Sequence, residues 1–478
     1  MIATEHPVND FIRAAESALT DPAAVSQRDM LARATPLLRQ HAVAEFGEFE
    51  ALRQHLKRVR RHTLENLDHY LPRFELEAIR NGNQVHFADS GDEMNAIVLD
   101  ICRQHGARRI AKGKSMVTEE TELAAALQRE RMEVVETDLG EYIIQLAGEK
   151  PAHIVGPARH KTIAQIRQLF LDHHKLGSRE LDSAESLVAE ARQIMRKHFL
   201  EAEVGIIGAN ALIAENGYSM LVTNEGNGDL CANLPRTLIV CTTFDRILPR
   251  GEDAAALQRL LARSATGQRQ TCYTSYYSGP RREVEGSGPV ETHIILLDNH
   301  RSDLLDGPFH EMLDCIRCGA CLNHCPIFAA AGGQAYGSVY PGPMGSVLAP
   351  LLESLETHAA LPDACTSCGR CEEVCPASIP LPGLLRELRR EKSQRGIGSS
   401  RWRLGLRLHA WLACHPALYR WATGLAIRSL NWLGRRRGVF HRLPFASGWT
   451  GQRDFPSPQR GTFMQQYAAR ERHREHEQ

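Results

Sequence analysis

The sequence has no long apolar run near its start. The first 20 residues, MIATEHPVNDFIRAAESALT, contain acidic side chains and only short apolar stretches. This pattern is typical of neither a Sec signal peptide nor a membrane-spanning helix. An early Arg-Arg pair is also missing, since the first such pair is Arg60-Arg61, and twin-arginine export is therefore not indicated. We expect a cytoplasmic protein, in which clustered cysteines are more often metal ligands than disulfides.

Nucleotide-cofactor motifs are missing as well. The stretch GIIGANA, residues 205–211, does not follow the G-x-G-x-x-G pattern of dinucleotide-binding folds, and no flavin motif is present. Apart from one cysteine motif described below, no internal repeat occurs, which excludes a solenoid. The chain therefore offers no nicotinamide or flavin site of its own.

Acidic residues are missing from one long segment near the C-terminus. Residues 395–442 contain ten arginines and no Asp or Glu, although the formal net charge of the whole chain is zero. Four of the five tryptophans lie in this segment and the fifth follows it closely: Trp402, Trp411, Trp421, Trp432 and Trp449. The C-terminal segment therefore differs in composition from the rest of the protein, and we predict that it forms a separate part of the structure.

Two interpretations fit this basic segment. Leu418, Leu425 and Trp432 are spaced seven apart, which predicts an amphipathic helix, and Pro416 separates it from a preceding one. Such a helix binds either a membrane surface or a protein partner, including the chain's own α/β domain. We favour protein docking, because two short helices bury little area and no second membrane anchor is present. No nucleic-acid recognition motif accompanies the charge, so we expect no nucleic-acid partner.

The composition of the whole chain, with 43% hydrophobic and 24% charged residues, is that of a soluble globular protein. A length of 478 residues predicts about two to four domains. Residues 1–80 space their apolar side chains three and four apart, which predicts helices. Short β-branched runs then alternate with amphipathic helices, which favours an α/β fold with a largely parallel sheet. We predict four parts: a helical region (1–80), an α/β domain (81–303), a cysteine-containing domain (304–392) and the basic helical extension (393–478).

Six runs are predicted as strands of the α/β domain. One of them, AHIVG at residues 152–156, lies between two predicted helices. The full set is MEVVET, AHIVG, ALIAEN, YSMLVTN, TLIVCTT and THIILLDN. ALIAEN and YSMLVTN should pair around Gly217, because Asn-Gly is a strong hairpin signal.

Eight of the 13 cysteines lie in two copies of the spacing C-x2-C-x2-C-x3-C-P. CIRCGACLNHCP begins at Cys315, and CTSCGRCEEVCP begins at Cys365. A zinc ribbon needs only two well-separated C-x2-C pairs, so the doubled four-cysteine motif favours iron–sulfur clusters over zinc. Gly319 and Gly369 let the backbone approach the cluster sulfides closely.

In two-cluster ferredoxins, the first three cysteines of such a motif bind one cluster and the fourth binds the other. The pattern therefore predicts two [4Fe–4S] clusters. The first is bound by Cys315, Cys318, Cys321 and Cys375, and the second by Cys365, Cys368, Cys371 and Cys325. The long insert between the motifs resembles the α-helical ferredoxin module of respiratory iron–sulfur subunits.

Four stretches outside the cysteine motifs carry unusual polar content: AKGKSMVTEET (111–121), ETDLGEYIIQLAGEKPAHIVGPARHK (136–161), LIAENGYSMLVTNEGNGDL (212–230) and HIILLDNHRS (293–302). Together with the double motif, they resemble the lactate-utilisation iron–sulfur family over nearly the whole chain. This resemblance implies a LUD-type α/β domain related to sugar-phosphate isomerases and CoA transferases, beside an α-helical two-cluster ferredoxin domain and helical termini.

The resemblance also implies a role and partners. Proteins of this family take part in oxidising L-lactate to pyruvate in a complex. Its other members would be a cysteine-rich subunit similar to those of heterodisulfide reductase and a small protein with a second LUD domain. Removal of hydride from a 2-hydroxy acid normally needs a two-electron cofactor, which this sequence does not display.

Several residues of the α/β domain are candidates for a ligand site. Glu215 follows a predicted strand, and by analogy with CoA transferases it is a candidate catalytic carboxylate; a plain hairpin turn fits it equally well. Lys114 suits a carboxylate or phosphate, or else a solvated loop. Gly217, Gly226 and Gly228 would allow close backbone approach to an anion.

Three functions follow from these features. The first is an electron-transfer subunit of an L-lactate-oxidising complex, which we favour. The second is an isomerase- or CoA-transferase-like enzyme with an appended ferredoxin. The third is a redox or iron sensor, which the complete set of eight cysteines disfavours, because sensors usually expose an incompletely ligated cluster.

Overall fold

The computed structural model describes residues 7–398, 400–443, 450, 453–458 and 461–477. Its contacts divide the chain into a first unit, Met1–Ile397, and a second unit, Gly398–Gln478. Trp449 and the side chain of Trp402 lie outside the described part. Within that part, every helix is too short or too polar to cross a membrane.

Helices occupy the chain from residue 7 to residue 80, as the apolar spacing predicts. They are α1 (Pro7–Leu19), α2 (Pro22–Ala44), α3 (Phe49–Glu65) and α4 (Leu67–Arg80). One face of α3 buries Leu56, Arg60 and Thr63, which lie about one turn apart. This side of α3 is therefore turned to the protein interior, where it buries the charged residue Arg60.

The α/β part of the first unit contains ten strands. They are β1 (Gln84–Ala88), β2 (Arg109–Lys112), β3 (Glu133–Glu136), β4 (Val204–Ile207), β5 (Ala211–Ile213), β6 (Tyr218–Thr223), β7 (Thr237–Thr243), β8 (Ile247–Leu248), β9 (Tyr273–Tyr277) and β10 (Glu291–Leu297). Six of them form a parallel sheet in the order β1-β10-β7-β4-β2-β3. The other four form a smaller sheet in the order β8-β5-β6-β9.

Helices cover the parallel sheet on both faces. They are α5 (Gly91–Gln104), α6 (Met116–Glu120), α7 (Leu123–Arg129), α8 (Leu139–Ala147), α9 (Ile163–His173), α10 (Ala184–Glu201) and α11 (Asn227–Asn233). The next helix, α12 (Gly251–Ala265), packs instead against β5 and β8 of the small sheet and against α3. Ile206 and Ile239 pack into the core on the side of α5, whereas Ile207 and Val240 pack into the core on the side of α10. β4 and β7 are buried along their whole length for this reason.

The predicted hairpin of the small sheet is present. β5 and β6 pair antiparallel, and the Gly217 N–H closes their turn on the carbonyl of Ile213 at 2.8 Å. Gly217 has a φ of +71°, and a Cβ placed on it would lie 2.3 Å from the backbone nitrogen of Ala78 in α4. Only glycine fits this turn, because a side chain would meet both strain and a clash.

The strand predicted at AHIVG is wrong. Residues 152–156 form a series of bends instead. The backbone N–H groups of Val155 and Gly156 both donate to Nδ1 of His153, at 3.0 and 3.2 Å. The segment satisfies its own donors locally, so it has no ladder of hydrogen bonds to offer a neighbouring strand.

The rest of the first unit is helical. Its helices are α13 (Ala320–Asn323), α14 (Pro326–Ala331), α15 (Gly342–Leu352), α16 (Arg370–Glu373) and α17 (Leu381–Gln394), and 3₁₀ turns lie at Phe244–Arg246, Ser302–Leu304, His310–Asp314 and Gln334–Tyr336. Leu322, Tyr340, Val347 and Leu385 build its own core between the two cysteine motifs. This helical core holds the motifs together.

The second unit contains the two helices predicted on either side of Pro416, and a third helix follows them in the described part of the tail. Its elements are α18 (Ser400–Ala413), α19 (Pro416–Gly434), β11 (Val439–Phe440), β12 (Phe455–Pro456) and α20 (Phe463–Glu477). Pro416 stands in the first turn of α19, where its missing N–H costs nothing. The side chains of Trp421 and Trp432 are 67% and 76% exposed, so the apolar stripe of α19 is open.

Candidate functional site

The two cysteine motifs fold in the same way. In each, the residue two positions after the first cysteine has a left-handed backbone, with φ of +57° at Arg317 and +56° at Ser367. The glycine two positions further, Gly319 or Gly369, is left-handed too and begins the short helix α13 or α16. These turns curl the backbone so that cysteine side chains point to a common centre.

Four cysteines from both motifs line one small cavity, here called cavity 1. They are Cys315, Cys318, Cys321 and Cys375. The first three come from the first motif and the fourth from the second. The structure thus brings together the four residues that the ferredoxin pattern groups as one ligand set.

The complementary four cysteines line a second cavity, here called cavity 2. They are Cys325, Cys365, Cys368 and Cys371. Pro326 and Pro343 also line this cavity and make its wall apolar. Each motif therefore gives three cysteines to one cavity and its last cysteine to the other.

Backbone donors point at the sulfurs of these cavities. The N–H of Arg317 donates to Cys315 Sγ at 3.4 Å, and the N–H of Ser367 donates to Cys365 Sγ at 3.3 Å. Ile379 donates to Cys375 Sγ in the same way, at 3.4 Å. Such bonds stabilise thiolates and tune the potential of a cluster bound to them.

The surroundings of the cysteines favour neutral thiols unless a metal is bound. Burial, together with neighbouring cysteines, raises the pKa of Cys371 to about 12 and that of Cys375 to about 11. A bound metal would supply the positive charge that makes these groups thiolates at neutral pH. Four converging sulfurs in a dry cavity fit the donor set of a [4Fe–4S] cluster.

Arginines from the N-terminal helices hold the backbone around cavity 1. Arg39 of α2 donates to the carbonyl of Val374 at 2.9 Å. Arg53 of α3 donates to the carbonyls of Cys375 and Glu372, at 2.7 and 3.1 Å. These helices therefore belong to the site as well as to the predicted N-terminal region.

A larger cavity of about 280 Å³ lies at the carboxyl ends of β2, β3 and β4. Ligands of parallel α/β sheets usually bind at this edge. Gly113 and Lys114 follow β2 on its wall, and Gly208 follows β4. Its far wall includes Cys318, so this large cavity reaches the cysteines of cavity 1.

The structure places only some of the predicted α/β residues at the large cavity. Lys114 and Gly228 line it. Gly226 precedes α11 and packs against the ring of Tyr273 beside this wall. Lys112, two residues earlier at the end of β2, is fully buried between Glu119 and Glu136.

Glu215 and Gly217 lie away from the large cavity. The Glu215 carboxylate accepts a hydrogen bond from the Gly251 N–H at the start of α12, at 3.2 Å. Gly217 is used for the tight approach of its turn to α4. In this geometry Gly217 serves the hairpin turn, and the Glu215 carboxylate contacts the start of α12.

A polar cluster around Lys114 lines or adjoins the large cavity, and its two acidic members, Asp138 and Glu141, were not predicted from the sequence. Lys114 Nζ lies 3.0 Å from Glu141 Oε1 and donates to the Val155 carbonyl. Burial raises the pKa of Glu141 well above its usual range. The pKa of Asp138 is lowered despite burial, because Glu141 and Lys114 lie close to it and the Gly140 N–H donates to its carboxylate.

Two arginines on the far wall were also missed. Arg246 and Arg317 line the large cavity next to Cys318. Arg317 occupies a variable position of the C-x2-C spacing, where any residue satisfies the motif. The only available signal was its contrast with Ser367 at the same place in the second motif.

Two families match the two parts of the first unit. The LUD domain family matches residues 71–297, and the family described as 4Fe-4S dicluster domain matches residues 311–379. With the paired four-cysteine cavities, these matches define an iron–sulfur protein in which a LUD domain adjoins a ferredoxin-type domain.

Whole-length relatives identify the family more closely. Lactate utilization protein B of Oceanobacillus iheyensis is 42% identical over 89% of this chain and 89% of its own length. The protein of the same name from Bacillus subtilis (strain 168) is 40% identical over 91% of this chain and 90% of its own. Electron transport protein YkgF of Escherichia coli (strain K12) is 39% identical over 87% and 88%. The chain belongs to the lactate utilization protein B family.

Proposed function

We propose that this protein is the electron-transfer subunit of a complex that oxidises L-lactate to pyruvate. Two [4Fe–4S] clusters would occupy cavities 1 and 2. The reciprocal exchange of Cys325 and Cys375 between the motifs supports this assignment above all, because two-cluster ferredoxins share it. The names of the relatives supply the substrate.

The chain's own residues have defined tasks in this function. The eight cysteines hold the clusters, which when bound supply one-electron transfer. The N–H groups of Arg317 and Ser367 stabilise the ligand sulfurs. Leu322 and Leu385 are buried and exclude water from the helical core between the motifs.

Partner subunits complete the reaction. Lactate loses two electrons and two protons when it becomes pyruvate, and iron–sulfur clusters accept electrons singly. Because the sequence shows no nicotinamide or flavin motif, we assign the two-electron acceptor to a partner subunit or to a cofactor that a partner subunit binds. A cysteine-rich subunit similar to those of heterodisulfide reductase and a small LUD-domain protein are the proposed partners.

The second unit is the proposed docking element. Its exposed stripe, which includes Leu425 and Trp432, would be covered by a partner subunit rather than by lipid. We place the complex in the cytoplasm. Peripheral contact with the inner face of the membrane is the competing role of the same stripe, because an arginine-rich amphipathic helix also binds anionic lipid.

The enzyme alternative loses its main support. An isomerase- or CoA-transferase-like activity would need Glu215 at the large cavity, and this carboxylate instead bonds the start of α12. A redox or iron sensor is disfavoured because each cavity has a full set of four cysteines.

Anaerobic purification with the co-expressed partners tests the proposal. L-lactate should produce the EPR signal of reduced clusters in the assembled complex, and D-lactate serves as the matched control. Iron should amount to about eight atoms per chain, four for each cluster. A complex whose clusters stay oxidised with L-lactate would sink the lactate assignment, and about four iron atoms per chain would refute two clusters.

A further inference from the structure

The far wall of the large cavity carries two guanidinium groups. Arg246 is buried, with 5% of its surface exposed. Its Nη1 donates to the Cys315 carbonyl at 2.8 Å, and its Nη2 lies 3.5 Å from Asp245 Oδ2. Arg246 is therefore already engaged in holding the backbone of the first cysteine.

Arg317 differs from Arg246 in the hydrogen bonding of its guanidinium. Its Nε and Nη1 are buried, and neither atom has a hydrogen-bond partner among the described residues. The group lies over the ring of Tyr340, with Cζ 4.4 Å from the ring centre. A cation therefore faces the large cavity with donors to spare.

A hydrogen-bonded network holds the Tyr340 ring on which the Arg317 guanidinium rests. The Tyr340 hydroxyl donates to Glu120 Oε2 at 2.6 Å, and Glu120 is paired with Arg301 at 2.7 Å. This network locks the ring on which the guanidinium rests. The left-handed backbone at Arg317 then directs the side chain away from the cysteine turn.

Buried donors without partners are costly unless a ligand satisfies them. A guanidinium presents two parallel N–H groups that match the two oxygens of a carboxylate. The cavity of about 280 Å³ suits a small molecule, and Ser115, Asn210 and Thr223 give its inner wall further polar groups.

We infer that the large cavity binds a small 2-hydroxy or 2-oxo carboxylic acid, whose carboxylate is anchored by Arg317. The inference rests on the proposed function for the identity of the acid, L-lactate or its product pyruvate. It concerns binding only. Because Cys318 lies on the same wall, the bound acid would sit directly beside the cluster of cavity 1.

A competing role for Arg317 is charge balance. The guanidinium lies two residues from Cys315 and would offset the negative charge of a cluster in cavity 1. Charge balance needs only a positive group, whereas carboxylate anchoring needs the planar fork of arginine. Lysine at this position therefore separates the two roles.

Titration calorimetry on the oxidised holoprotein, with L-lactate and with pyruvate as probes, tests the site. Arg317→Ser reproduces the residue that stands at the same left-handed position of the second motif, so the turn tolerates it. We expect at least tenfold weaker binding in this variant. Arg317→Lys should also bind at least fivefold more weakly while the midpoint potential of the cluster changes little.

The matched control is Arg370→Ser, which removes an exposed arginine from the second motif. It should bind both acids like the wild type. Iron content and the EPR spectra of all variants report whether the clusters and the fold are retained.

Three outcomes overturn the inference. One is wild-type holoprotein that binds neither acid although lactate reduces the clusters of the assembled complex, which leaves the proposed function standing. Another is unchanged affinity in Arg317→Ser with a shifted midpoint potential, which assigns the residue to charge balance. The third is equal loss of affinity in Arg370→Ser. Arg317-dependent binding in a complex that lactate fails to reduce would support the site and refute the proposed function.

Discussion

At the scale of single residues, His153 organises the loop that faces cavity 1. Its Nδ1 accepts hydrogen bonds from the N–H groups of Val155 and Gly156, and its Nε2 lies 3.1 Å from Asn323 Oδ1. The neutral ring therefore carries its proton on Nε2 and donates it to Asn323. Burial, followed by the charge of Arg159, lowers the pKa of His153 to about 3.

This depressed pKa predicts acid sensitivity. Below about pH 6.5, the ordinary value for histidine, the unfolded chain binds a proton at His153 that the folded chain does not bind until about pH 3. The stabilisation is thus complete above the unfolded pKa and is lost as the pH falls. The free energy of unfolding should decrease by up to about 1.4 kcal/mol per pH unit within this window.

Urea unfolding at several values between about pH 7.5 and 5.5 measures the slope. His153→Asn keeps an acceptor near the place of Nδ1 but does not titrate, so its slope should be flatter. His173→Asn replaces an exposed histidine and should keep the wild-type slope. Equal slopes in all three proteins would contradict the assignment.

Gly217 gives a second residue-scale prediction. An added Cβ would lie 2.3 Å from Ala78 N, in addition to the strain of a φ of +71°. Gly106 has a similar φ of +59°, but a Cβ there meets nothing within 4 Å. Gly106→Ala should cost about 1–2 kcal/mol and Gly217→Ala at least about 3 kcal/mol. Thermal unfolding ranks them, and equal melting temperatures would show that the close approach is unimportant.

At the scale of elements, the two motifs depend on each other. Cys325→Ser changes the first motif but should remove the cluster of cavity 2, and Cys375→Ser should remove the cluster of cavity 1. Iron should fall from about eight to about four atoms per chain in each variant. Cys272→Ser, at an exposed cysteine outside the motifs, is the control.

EPR of the partly reduced variants checks this exchange, because the two clusters have different surroundings. The surviving signal should differ between Cys325→Ser and Cys375→Ser. Loss of the cluster of cavity 1 in Cys325→Ser, or of the cluster of cavity 2 in Cys375→Ser, would contradict the exchange and favour two independent sites.

Element by element, the sequence predicts structure where the cause is local. The cysteine turns follow from covalent spacing and glycine, and fully buried β7 follows from its β-branched run TLIVCTT. AHIVG fails because His153 captures two backbone donors, which no strand pattern reveals. The surroundings of Glu215 could not be predicted, because only the fold shows that its carboxylate meets the start of α12.

The large cavity was only partly predictable for the same reason. Lys114 and Gly228 stood out by residue type. Asp138 and Glu141 join them because β3 lies beside β2 in the sheet, and Arg317 joins them only through the packing of the cysteine domain. These residues are far apart in sequence. The spacing within one motif does not predict which distant elements the fold brings together.

At the scale of the whole molecule, the division at Ile397 predicts a separable C-terminal unit. A chain that ends at Ile397 keeps all the cluster cysteines and the arginines around cavity 1, so it should bind as much iron as the full chain. It should no longer co-purify with the partner subunits, because the exposed stripe of α19 is gone. A point variant, Trp432→Ala, tests the same surface without truncation.

Anionic vesicles distinguish the two proposed roles of this unit. Full-length holoprotein should stay in the supernatant when such vesicles are sedimented. Two results together would assign the unit to the membrane instead. The wild-type protein would sediment with the vesicles whereas Trp432→Ala would not, and the truncated chain would still capture the partner subunits.

The arginines of the N-terminal helices have a consequence for biosynthesis. Arg39 and Arg53 bond carbonyls that lie 335 and 322 residues further along the chain. Because a ribosome releases the N-terminus first, these side chains emerge long before their acceptors exist. The wall that they close around cavity 1 is completed only after Cys375 has been translated. The first three cysteines of cavity 1 therefore wait for their fourth partner and for this wall until the ribosome has added the second motif.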